Sequence, residues 1–69
     1  MTNTELLKEK IKLSGYKRSF IAQQLGISTY CLAQKIDNKT EFKASEINAL
    51  CGLLHIVSPE EKEAIFFAM

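Results

Sequence analysis

At 69 residues the chain has room for one domain, 1–69, and its 46% hydrophobic and 25% charged content is that of a globular rather than a disordered sequence. A net charge of only +1 speaks, by itself, against a polyanionic partner, but the charge is unevenly spread: residues 17–43 carry net +3 and residues 44–69 carry net −3. No apolar run is long enough to span a membrane, the start MTNTELLKEK has no secretory apolar segment, and the two cysteines form no CxxC pair. The expected setting is a reducing cytoplasm with free thiols.

The first helix is expected over residues 2–14, with Thr2 and Glu5 at capping-box spacing. Leu6, Leu7, Ile11 and Leu13 supply its apolar stripe, and Lys8, Glu9 and Lys12 its wet side. Ser14 and Gly15 end it, and Tyr16 packs over the turn against the next helix. A second helix spans 18–25, with Ile21, Ala22 and Leu25 on one face. Phe20, one position before Ile21, is either exposed or laid over helix one or four. Gly26 supplies the positive φ that stops this helix, and Ser28 caps a third helix over 28–36 buried through Leu32 and Ile36. Cys31 reads as a half-buried apolar filler.

Residues 37–41 form a loop in which Asn38 is a left-handed closing residue and Phe42 a plug into the core. Helix four covers 44–54, burying Ile47, Leu50, Cys51 and Leu54; Gly52 within it is a candidate for a close helix crossing. His55 ends that helix. Ser58 as cap, Pro59 at N1 and Glu61 completing the box at N3 then start a fifth helix. Its Ile65, Phe66 and Phe67, with Val57 and Met69, serve either a dimer surface or the monomer's own core. Each helix is too short to stand alone, so burial must supply the stability.

The stretch IAQQLGIS, followed by LAQKIDNK and ASEINALCGLL, resembles the helix-turn-helix of the lambda-repressor-like family, the small phage repressor and Cro-type regulators. EFKASEI and the tail EEKEAIFFA are similar to a subgroup of small phage-encoded regulators. The resemblance implies a five-helix all-α DNA-binding domain with the helix-turn-helix unit at about 18–36. It also implies base contacts at Thr29, Tyr30 and Gln34, with Ser28 beside them, since the third helix enters the major groove. Gln34 suits a paired contact to adenine, and the Thr29 methyl suits a thymine methyl. Arg18 and Lys39 stand at the family's backbone-contact positions, with Lys17, Lys35 and Lys43 as further phosphate contacts. The chain departs from the family pattern at Lys35, usually apolar, at Ile36, often glutamate, and at Asn38, often glycine. The buried face is accordingly expected to shift from 35 to 36, with the Lys35 stem still packed.

These features predict a sequence-specific transcriptional regulator of a phage or prophage in a bacterial host. The resemblance implies that it binds a pseudo-palindromic operator as a homodimer and acts, Cro-like, by occupancy, an activator or an excision regulator fitting the sequence equally well. Half-sites would lie about 34–36 Å apart. The alternative is a protein-interaction or anti-regulator module that has the same shape without specific duplex binding. No nucleophile–base pair, GxxxxGK phosphate loop or metal-ligand spacing around His55 is present, so no enzyme chemistry, small-molecule substrate, cofactor or metal is expected.

Overall fold

The computed structural model describes residues 1–68 and contains five α-helices: α1 Thr4–Ser14, α2 Arg18–Leu25, α3 Thr29–Ile36, α4 Ala44–Leu54 and α5 Pro59–Phe66. Among the described residues there is no strand. The first four helices are short because each is stopped by a residue that leaves helical geometry for the left-handed region. Gly15, Gly26, Asn38 and His55 all adopt left-handed φ, between 57° and 77°. After α2 the Gly26 N–H donates to the Gln23 carbonyl and the Ile27 N–H reaches back to that of Ala22 (3.0 Å), the paired closure of a Schellman motif. The α3 terminus closes the same way: Asn38 N–H donates to the Lys35 carbonyl, and Lys39 N–H to that of Gln34 (2.9 Å). These closures turn the chain sharply and let α2 pack on both α3 and α4, while α1 lies against α3, α4 and α5.

The core holds most of the positions predicted from the apolar periodicity, with Leu6, Leu25 and Cys51 only partly buried against it. Leu7, Ile11, Ile21, Ala22, Leu32, Ile36, Ile47, Leu50, Leu54, Ile56, Ile65 and Phe66 are buried. Phe42 closes one side, its ring edge-on to Phe66 at 5.7 Å between centroids.

Several local expectations are corrected. The α1 cap is Asn3, whose Oδ1 accepts from Leu6 N–H (3.2 Å), and the helix starts at Thr4 rather than residue 2. Thr2 is instead drawn into the interior by long-range bonds, so Thr2 and Glu5 form no capping box. Leu13 is 74% exposed, because its helical angle carries it off the face that holds Leu7 and Ile11. Tyr16 does lie against α2, but through a tilted pair with Phe20 (5.0 Å) in which both rings stay about 40% exposed. Gly52 makes no close crossing: a Cβ added there would meet nothing within 4 Å. At α5 the Ser58 hydroxyl accepts from Glu61 N–H as expected, yet it donates to Glu60, which holds that exposed carboxyl below the usual range. The Glu61 carboxylate does not complete a box; it pairs with Lys10 at 2.6 Å. No described helix is long and apolar enough to cross a membrane.

Candidate functional site

The local rules that build α3 also decide which of its side chains face out. The Ser28 Oγ accepts from Cys31 N–H (3.0 Å), satisfying an amide that the first turn leaves free. Ser28 thus caps α3 and stays exposed, its hydroxyl proton still free to donate. Leu32 and Ile36, one turn apart, turn fully inward. The opposite face carries Tyr30 and Gln34, also one turn apart. Tyr30 is 72% exposed, Thr29 and Cys31 beside it are exposed, and Gln34 is half-buried. Tyr30 and Gln34 thus share the side of α3 opposite Leu32, and Thr29 is exposed in its first turn.

Cys31, expected as a half-buried filler, is exposed on that same side. Its place one residue before the inward Leu32, about 100° around the helix, was the available signal. Cys51, by contrast, is partly buried in α4, and burial pushes its thiol pKa up.

The cations divide into two groups. Lys8 pairs with Asp37, Lys10 with Glu61 and Lys35 with Glu46. Lys12, Lys17, Arg18, Lys39, Lys43 and Lys62 make no ion pair among the described residues, Lys62 donating instead to the Asn48 amide oxygen at 3.3 Å. Four of these six flank α2 and α3 in sequence: Lys17 caps α2 without a side-chain hydrogen bond, Arg18 opens it, Lys39 follows α3 and Lys43 precedes α4. Lys12, in the last turn of α1, escaped notice because it reads as an ordinary solvent-face lysine. The first-turn amides of α2 likewise have no side-chain acceptor, leaving a helix end that favours an anion.

Lys35 departs from its expected role as a phosphate contact. Its Nζ lies 2.9 Å from Glu46 Oε1 and 3.1 Å from the Glu41 carbonyl, and its side chain is only 11% exposed. The ammonium also stands 5.9 Å from the Phe42 ring centre. The stem packs, as the shifted buried face implied, but the charge is committed inward. Glu46 is buried, which alone raises its pKa; the Lys43 amide (2.8 Å) and the Lys35 ammonium outweigh this and hold the carboxyl below its ordinary value. The pair joins α3 to the start of α4, a partner eleven residues away that helical spacing does not reveal.

The expected dimer surface is divided as well. Ile65 and Phe66 are completely or nearly buried and belong to the monomer core, because they face α1 and Phe42. Val57 (89% exposed) and Phe67 (52%) remain at the surface, and Met69 lies outside the described residues.

Among the described residues no group of His, Cys, Asp and Glu is arranged to hold a metal ion. No family model, curated protein or solved structure matches the chain.

Proposed function

We propose that α2 and α3 form a helix-turn-helix of the lambda-repressor-like kind, and that the protein is a sequence-specific duplex-DNA-binding regulator. The observation that carries this reading is the pairing of an uncharged polar reading face with free cations around it. Tyr30 and Gln34 stand one turn apart on the side of α3 opposite Leu32, and Lys17, Arg18, Lys39 and Lys43, which flank α2 and α3 in sequence, make no ion pair among the described residues; Lys12 and Lys62 are likewise outside any ion pair, and Lys8, Lys10 and Lys35 are bound to carboxylates. Hydrogen-bonding side chains on a short rigid helix suit the edges of bases, and mobile cations suit phosphates. Thr29, Tyr30 and Gln34 specify the sequence; Arg18, Lys17, Lys39 and Lys43 fix the position of the helix.

Regulation follows by occupancy, a bound protein excluding polymerase from an overlapping promoter. One module of this size offers little area, so a twofold pair reading two half-sites is the favoured assembly. Of the residues expected at a dimer surface, Val57 and Phe67 are exposed and available for pairing. The test is a footprint of the purified protein on the DNA flanking its own gene, repeated across salt concentrations. Protection of a pseudo-palindrome, weakening steeply with salt, supports the proposal. Absence of any protected site across low to physiological salt refutes it.

A second reading, a protein-interaction module, is favoured by one feature: Leu13, Tyr16 and Phe20 form an exposed apolar group at the α1–α2 end. That reading expects no footprint and a stable complex with another regulator.

A further inference from the structure

Asn38 does more than close α3. Its side-chain amide grips the backbone of Thr2 from both sides: Thr2 N–H donates to Asn38 Oδ1 (2.8 Å), and Asn38 Nδ2 donates to the Thr2 carbonyl (2.6 Å). The same Nδ2 donates to Thr4 Oγ1 (3.3 Å), and the Thr4 hydroxyl in turn donates to the Ile36 carbonyl (2.6 Å) at the end of α3. Residues 1–3 are themselves fixed from the other side, Asn3 N–H donating to the Ile65 carbonyl (2.6 Å) and Ala68 N–H to that of Met1 (2.9 Å). The loop after α3 is therefore latched to a segment that is latched to α5.

What the latch holds is specific. The backbone N–H of Lys39 bonds to the carbonyl of Gln34, and that of Thr40 reaches the same oxygen at 3.4 Å. Both bonds require the left-handed turn at Asn38, φ 64°. We propose that Asn38, acting through Thr2 and Thr4, is a positioning residue that holds the Lys39 backbone, and so the root of its cationic side chain, in fixed register with Gln34. This rests on the duplex-reading function proposed above. A glycine would allow the turn equally well; only a side-chain amide adds the tie to Thr2 and Thr4.

Two variants separate the tie from the turn. Asn38→Gly keeps the left-handed backbone and removes the amide; Thr4→Val removes the hydroxyl link and leaves position 38 intact. In the free protein, amide hydrogen exchange at Lys39 and Thr40 should quicken at least about tenfold in both variants relative to exchange at the core positions Ile21 and Leu50. On a random-sequence 20-base-pair duplex, the slope of log affinity against log salt should fall by about 0.9, the loss of one phosphate contact. Unchanged exchange at Lys39 and Thr40, or a rise only in step with the core, overturns the positioning role. Faster exchange with an unaltered slope overturns the claim that the latch serves phosphate contact. A parent protein that binds no duplex defeats the duplex-reading function, and with it that claim, while exchange alone still decides whether Asn38 orders the loop.

Discussion

Replacing Lys35 with methionine keeps the side-chain stem and deletes the ammonium that stands 2.9 Å from Glu46. Removing one partner of a buried ion pair ordinarily costs about 3–5 kcal/mol, because the other charge is left stranded. Here Glu46 keeps the Lys43 amide at 2.8 Å, and the two side chains are 11% and 7% exposed, at the margin of the interior. The expected loss is therefore smaller, about 2–3 kcal/mol. Against a total stability of roughly 3–10 kcal/mol for a chain of this length, such a loss is large. The double variant Lys35→Met with Glu46→Gln removes both charges and leaves an acceptor for the Lys43 amide, so it should return to within about 1 kcal/mol of the parent. Urea unfolding followed by circular dichroism, with an unchanged slope, measures all three. The pH dependence supplies a check of sign. The Glu46 carboxyl has a lower pKa folded than unfolded, so its stabilisation is complete above the unfolded value, about 4.3, and is lost as pH falls through the folded value. The gap between parent and Lys35→Met should narrow in acid. A single variant that loses under about 0.5 kcal/mol at neutral pH would mean that water screens the pair. A gap that stays constant to below about pH 3 would refute the role assigned to the carboxylate charge.

Gly52→Ala should raise stability by about 0.5–1 kcal/mol, since the position is helical and an added methyl meets no neighbour. Thermal unfolding reads this as a rise of a few degrees, and a fall would reveal an unseen crowding. Gln34→Ala should lower discrimination at one base pair by about 1–3 kcal/mol, whereas Arg18→Ala should weaken all duplexes about evenly and reduce the salt slope by about one. Equal, sequence-independent losses for both variants in a binding titration contradict the division of roles. With a thiol reagent, Cys31 should react quickly in the native state and Cys51 slowly, because Cys51 is partly buried and its thiol pKa is raised.

The helix plan was legible because each stop is local. Gly15, Gly26 and Asn38 mark left-handed closures, and Ser28 and Ser58 mark caps within three residues of the amides they accept from. The apolar spacing likewise foretold Leu7, Ile21, Leu32, Ile36 and Leu50 in the core. What sequence spacing could not supply was partners distant along the chain. Thr2 looked like a cap until Asn38, 36 residues away, claimed its backbone. Lys35 looked like a surface cation because Glu46 belongs to the next helix. Phe66 and Phe67 are alike in composition, and only the packing of α5 against α1 and Phe42 sends one inward and leaves the other at the surface. On α3, the outward placing of Tyr30 and Gln34 followed from their offsets relative to Leu32, and the Ser28 cap from its place just before the helix.

The bonds between residues 1–3 and residues 65–68 make a ring of an otherwise locally wired helical chain. Closing a loop of more than sixty residues carries an entropic penalty that grows only logarithmically, so the closure is affordable once the intervening helices have condensed. It is nonetheless the backbone contact of greatest sequence separation among the described residues. Interactions that form after the rate-limiting step act chiefly on the rate of escape from the native state. If this seam closes after that step, loosening it speeds unfolding and leaves the folding rate unchanged, an outcome that paired folding and unfolding rates would read directly.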